Sequence, residues 1–157
     1  MFYEYSLLRY LLNTTLEQVR LVADGIDPEA EVQGRVKAPD SAYTKARRMD
    51  LNPWLIPDLL GVRVIVRNED QCYAVLGSMH AEFVRIESAF RDYIAAPKAN
   101  GYRSLHTALR TSVGQPVELQ VRTRTMHACA EHGTAAHHAY KLESAALAVA
   151  AVCHGVL

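Results

Sequence analysis

The residues best able to do chemistry gather in the run Glu118-Leu119-Gln120-Val121-Arg122. Strand alternation puts Glu118, Gln120 and Arg122 on one face and Leu119 and Val121 on the other. An acid, an amide and a base in a row imply a face that is solvated or lines a cleft. By the same rule Tyr102, Ser104 and His106 share a face of the preceding segment. If the two segments pair, a tyrosine there can stack on a base, and a histidine can hydrogen-bond a phosphate or sugar. Asp58 stands just before the apolar run Leu59–Val66. A carboxylate at a strand end, facing Glu118 from another strand, suits Mg2+ held near phosphates. Arg63 interrupts the run and, if buried, requires an anion or an aromatic partner. Asp58 and Arg63 differ by an odd number of positions, so an unbroken strand sends them to opposite faces. A site shared by both predicts a bulge or bend, with Gly61 the expected place.

Arg35 and Lys37 alternate in an extended segment after Gly34, and Lys45 follows on a helix that Ser41 helps to begin. Converging cations of this kind suit a triphosphate. Lys98 and Asn100 flank the turn before Tyr102, where a loop can present them to a ligand. Plainer readings stand beside each of these: a solvent-facing sheet, an Asp capping a turn after Pro57, a satisfied core histidine, a solvated basic face. The series His127, Cys129, His132, His137 and His138 suggests zinc, but steps of five residues between histidines drift off a shared helix face. His127 and Glu131 do share a face, which reads as a structural pair.

The chain has 157 residues, 17 Lys+Arg against 17 Asp+Glu, and 50% hydrophobic residues, as one globular domain requires. The zero net charge conceals segregation. Residues 1–31 carry six acids and two bases, residues 35–48 five bases and one acid, and residues 85–124 seven bases and three acids. Local basic patches suit a small polyanion better than a long nucleic acid, which rewards an extended basic stripe, so no DNA partner is expected. Cys72, Cys129 and Cys153 show no paired spacing, which favours a reducing cytoplasm. No leader of the secretory type is visible, and the apolar stretch Ser144–Leu157 is too short to span a bilayer, so no membrane is expected.

Periodicity predicts a helix over 6–24, with Leu8, Leu12, Leu16, Val19 and Val22 on one face. A second helix starts at Pro39 and runs to about Met49. Leu59–Val66 reads as a central strand, and Asn68 caps a helix over Asp70–Glu82. A strand is expected near Phe83–Ile86, followed by a loop over 94–101 that ends in an Asn-Gly turn. Tyr102–Thr111 and Val117–Thr123 form a hairpin through Val113–Pro116. A helix from Thr125 to Lys141 follows, with a break expected at Gly133. The order implies an α+β fold: a mixed β-sheet of about five strands flanked by helices. One domain is expected over 1–157, with a core at 34–141 and a helical tail at 142–157.

Four strings carry a resemblance: GRVKAPDSAYTK (34–45), PDLLGVRVIV (57–66), RDYIAAPKANGYRSLHTAL (91–109) and VELQVRTRTMHACAEHGTAAHHAYK (117–141). In this order they resemble the synthetase domain of the RelA/SpoT family of alarmone synthetases, in its small, synthetase-only form. The resemblance implies a nucleotidyltransferase-like synthetase fold and transfer of pyrophosphate from ATP to the 3′-hydroxyl of GTP or GDP, releasing AMP. It implies that Arg35, Lys37, Lys45 and Ser41 bind ATP, with Arg35 and Arg63 flanking adenine. Asp58 would bind Mg2+ (Mn2+ as the alternative), and Glu118 would share the metal or act as general base. Tyr102 would stack on the acceptor base, with Arg91, Lys98 and His106 at its phosphates and Asn100 and Gln120 at motif positions nearby. Two rival readings are a toxic small synthetase that modifies adenine nucleotides or the tRNA 3′ end, and a catalytically inactive nucleotide-binding module. The resemblance also allows a homo-oligomer or an antitoxin partner.

Overall fold

The computed structural model describes residues 2–133, so the tail expected to be helical and the part of the expected last helix beyond Gly133 lie outside it. The elements run α1 (Phe2–Asp24), β1 (Glu31–Val36), α2 (Pro39–Met49), β2 (Leu60–Val66), α3 (Glu69–Glu82), β3 (Val84–Arg85), β4 (Arg91–Asp92), β5 (Leu105–Arg110), β6 (Pro116–Thr123) and α4 (Arg124–His132). The strands form one sheet in the order β1-β2-β6-β5-β3, and β4 also pairs with β5. β2 and β6 are parallel, and every other pair is antiparallel. The expected α+β mixed sheet is found. Its sixth strand is the two-residue β4, too short to leave a sequence pattern.

One face of the sheet is apolar. Leu60, Val62, Val64 and Val66 of β2, Leu119 and Val121 of β6, and Leu105 and Leu109 of β5 are buried in the core. That face is covered by Leu8, Leu12, Leu16 and Val19 of α1 and by Val75 and Met79 of α3. α1 lies close on β1 because Gly34 has no side chain: a Cβ there would sit 2.7 and 2.9 Å from the Leu16 methyls. Asn68 caps α3 as expected, in a reciprocal box with Gln71.

Three local expectations change. The register of β2 runs unbroken through Gly61 on both sides, so there is no bulge there. Asp58 instead precedes the strand in a turn closed by Leu59 N–H to Ile56 O, and parity counted from β2 does not apply to it. β5 starts at Leu105 rather than Tyr102, because Lys98 N–H bonds Tyr102 O and Gly101 N–H bonds Lys98 O, keeping residues 98–102 in a closed loop. Gly101 holds φ 81° at the Asn-Gly turn, a conformation glycine adopts without strain. α2 begins at Pro39 with Ala38 as its N-cap, so Ser41 does not cap it.

Candidate active site

The second face of the sheet is polar, and its register assembles a site. Gln33, Arg63, Gln120, His106 and Arg91 are successive partners across β1, β2, β6, β5 and β4. In the neighbouring row Arg35 faces Gly61, and Gly61 faces Glu118. Partners directly opposite share a face, so these side chains line one surface. A hollow of about 110 Å³ opens there, lined by Gln33, Arg35, Gly61, Arg63, Glu118 and Gln120. Gly61 forms the floor beneath the Arg35 side chain, which lies 3.5 Å from where a Cβ would be.

Beside this hollow a polar recess of about 430 Å³ is lined by Lys37, Asp40, Ser41, Thr44, Lys45 and Arg48. The expected cationic group is thus split. Arg35 belongs to the sheet hollow, and Lys37, Lys45 and Ser41 belong to the recess. Asp58 lies at the recess, with Oδ2 3.0 Å from Lys37 Nζ and 2.8 Å from Lys45 Nζ. Burial works to raise its pKa, but the hydrogen bonds from Lys45 and Lys37 outweigh this and hold it below the usual carboxylate range. Asp58 Oδ1 is buried with no hydrogen-bond partner among the described residues.

Glu118 is engaged separately, with Gln120 Nε2 donating to Oε2 at 3.3 Å and His106 Nδ1 3.8 Å from Oε1. Tyr102 and His106 meet with Tyr102 Oη 2.9 Å from His106 Nε2. Tyr93 packs edge-on to both, with ring centroids 6.2 Å from Tyr102 and 5.3 Å from His106. Lys98 Nζ lies over these rings, 4.6 Å from the centre of Tyr93 and 5.2 Å from that of Tyr102. Asn100 does not face the hollow through its side chain: Oδ1 accepts from Tyr102 N–H at 3.1 Å and shapes the turn. Arg91 Nη1 donates to the carbonyls of Ser88 and Phe90. Ser104 leaves the polar face, being fully buried and donating to Val121 O at 3.1 Å.

Arg122 continues the Glu118–Gln120 face but is buried there, because α4 crosses that end of the sheet. Its Nη2 donates to His127 Nδ1 at 2.7 Å and lies 3.4 Å from Glu131 Oε1. His127 and Glu131, read from spacing as a structural pair, both serve Arg122. Sequence reasoning missed Tyr93 and Gln33. Tyr93 follows the two-residue β4, and Gln33 lies on a short strand, EVQGRV, whose alternation rests on only Val32 and Val36 with Gly34 between them.

Burial pushes the His106 imidazole down to about 4, with the Lys98 and Arg122 charges acting in the same direction. At neutral pH His106 is therefore an uncharged ring beside Glu118, not half of an ion pair. Its Nε2 shares a hydrogen bond with the Tyr102 hydroxyl, and its Nδ1 faces Glu118. The unfolded chain takes up this proton near pH 6.5, whereas the fold refuses it until about pH 4. Stability is therefore complete above pH 6.5 and is lost as pH falls toward 4, by up to about 1.4 kcal/mol per pH unit for one proton. His80 and His127, both lowered chiefly by burial, act with the same sign. Urea midpoints at pH 7, 6 and 5 measure the slope. His106→Gln is expected to reduce it, and an unchanged slope would contradict the assignment.

With this geometry in place, the similarities to known proteins are informative. Residues 34–145 match the region found in RelA / SpoT proteins, and the chain belongs to the RelA/SpoT family. It is 41% identical over 136 residues to a guanosine-3′,5′-bis(diphosphate) 3′-pyrophosphohydrolase of Aquifex aeolicus, covering 87% of this chain and 20% of that protein. It is 47% identical over 120 residues to a GTP pyrophosphokinase of Streptomyces antibioticus, covering 76% of this chain and 14% of the relative. The chain thus spans a fifth or less of the length of these relatives. Among solved structures, small alarmone synthetase 1 of Bacillus subtilis, bound to its product pppGpp, superposes with TM-score 0.67 at 26% identity, covering 98% of this chain and 90% of that one. Among the described residues no helix is long and apolar enough to cross a membrane.

Proposed function

We propose that the chain transfers pyrophosphate from ATP to the 3′-hydroxyl of GTP or GDP, yielding the 3′-pyrophosphorylated nucleotide and AMP. The observation that carries this reading is the polar row across five strands. Arg63 and Arg35 stand at one end, an aromatic and cationic cluster stands at the other, and Glu118 lies between them. Lys37 and Lys45 bind the donor phosphates in the recess, with Ser41 at its wall, and Arg35 and Arg63 flank the donor base. Tyr102, with Tyr93 behind it, stacks on the acceptor base, and Lys98, Arg91 and His106 meet the acceptor phosphates. Gln120 orients Glu118, and Asn100 shapes the Tyr102 loop.

In the reaction the 3′-hydroxyl oxygen bonds to the β-phosphorus of ATP. The bond between that phosphorus and the oxygen bridging it to the α-phosphate breaks, and AMP leaves. The hydroxyl proton passes to a Glu118 oxygen. Little covalent help is needed, so positioning and charge neutralisation carry the rate. A divalent ion fits the donor set. Mg2+ takes oxygen ligands, commonly from one or two carboxylates plus substrate phosphates, and Asp58 offers a buried carboxylate oxygen that no group among the described residues satisfies. Asp58 would hold it, and when bound it would neutralise charge on the transferring phosphates, while Glu118, in the separate hollow, serves as the base. Seating it requires Lys37 and Lys45 to turn from Asp58 toward the phosphates.

The test is direct. The protein with ATP, Mg2+ and GTP or GDP is expected to give AMP and a 3′-pyrophosphorylated guanosine nucleotide in equal amounts. No product with either acceptor overturns the reading.

A further inference from the structure

Arg63 and Arg122 share a single oxygen. Arg63 Nη1 lies 3.5 Å from Glu131 Oε1, and Arg122 Nη2 lies 3.4 Å from the same atom. Both arginines have a buried Nε with no hydrogen-bond partner among the described residues. Arg122 is almost wholly enclosed, with its guanidinium carbon 6.0 Å from the centre of the Tyr102 ring. Tyr102 in turn meets His106, and His106 faces Glu118. A continuous chain of contacts thus runs from Arg63 through Glu131, Arg122, Tyr102 and His106 to Glu118. Its ends, Arg63 and Glu118, line the hollow, and its middle runs through Glu131 of α4, which does not.

We infer that Glu131 is a positioning residue that couples the donor seat to the acceptor seat. This inference rests on the proposed function. Glu131 touches neither nucleotide and acts only through the two arginines. Two cations competing for one carboxylate oxygen hold each other in a compromise, and their like charges repel. When a donor base draws Arg63 over its face, Oε1 passes wholly to Arg122 and the repulsion on Arg122 falls. Arg122 is then held more firmly against Tyr102, and the acceptor seat is complete. The donor-bound state is therefore the state that binds the acceptor better, and by reciprocity the acceptor tightens the donor by the same factor.

Calorimetry with the non-hydrolysable analogue AMPCPP, GDP and Mg2+ tests this without turnover. For the natural chain, AMPCPP is expected to tighten GDP binding by about fivefold or more, and GDP to tighten AMPCPP equally. In Glu131→Gln the factor is expected to fall below about twofold, with the affinity for AMPCPP alone within about threefold of the natural value. The Glu131 side chain is 45% exposed, so the variant is expected to fold, and circular dichroism checks this. Should it melt early, Glu131→Asp is read in the same way: one methylene shorter, it reaches one guanidinium but not both. Undiminished coupling in a folded variant overturns the role of Glu131 and leaves the proposed function standing. Absence of coupling in the natural chain does the same. Absence of binding of both nucleotides to the natural chain overturns the proposed function, and this inference with it.

Discussion

Glu118→Gln is expected to lower the turnover of pyrophosphate transfer by about 10²–10⁴-fold, the span typical for loss of a general base. The substitution keeps the shape of the side chain and removes only its basicity and charge. Glu118 is half-buried on β6, where register places it beside Gly61 and next to Gln120. A Gln there can still contact Gln120, so the thermal midpoint is expected to stay within a few degrees. Nucleotide affinities should change far less than turnover, because Arg35, Arg63 and Tyr102 remain in place. Steady-state kinetics with a parallel melting curve separates the outcomes. A loss of turnover of less than about tenfold would remove Glu118 from the role of base.

The second large effect concerns stability. Asp27→Ala is expected to cost about 2–4 kcal/mol, from the loss of charge-assisted hydrogen bonds that are individually stronger than neutral ones. Asp27 follows α1 and shows no side-chain surface, although it sits at the rim of the fold rather than deep in the core. Its Oδ1 accepts from Glu29 N–H at 3.1 Å and lies 3.0 Å from Arg67 Nε, while Oδ2 accepts from Arg67 N–H at 3.1 Å. The carboxylate thus ties the turn leading into β1 to the residue just after β2. Burial works to raise its pKa, but the backbone bonds of Glu29 and Arg67 bring it below 3.8, so it is charged at neutral pH. Domains of this size are stable by only about 5–15 kcal/mol, so the loss is a large fraction of the total. Urea titration at pH 7 measures it. A cost below about 0.5 kcal/mol would mean that the turn holds itself without Asp27.

What could be read from the sequence depended on whether a rule acts locally. Alternation in β6 assigned Glu118 and Gln120 to the polar face because a paired strand obeys period two along its whole length. The same rule put Arg122 on that face, yet could not reveal that α4 crosses it, since burial there comes from an element nine residues long that packs back on the sheet. The odd count between Asp58 and Arg63 implied a bulge at Gly61. The count fails because Asp58 stands in a turn before the ladder starts, where parity has no meaning. A strand-end carboxylate marks Asp58 as a metal candidate from local sequence, whereas its ion pairs with Lys37 and Lys45 join residues far apart in the chain and leave no local signal. Tyr93 went unnoticed because β4 is a two-residue strand held by β5, and pairing so brief leaves no periodicity.

The parallel ladder between β2 and β6 has a consequence for how the molecule comes into being. It joins Leu60 to Val117, and everything from α3 through β5 lies in the span between them. Closing so long a loop is entropically costly and comes before its contacts can reward it, which slows folding. β1 and β2 pair on their own and bring Arg35 and Arg63 to one face, but Glu118 and Gln120 join them only when this closure is made. A nascent chain still lacking β6 therefore carries only the β1–β2 wall of the hollow, and the wall that bears its carboxylate arrives in one late step.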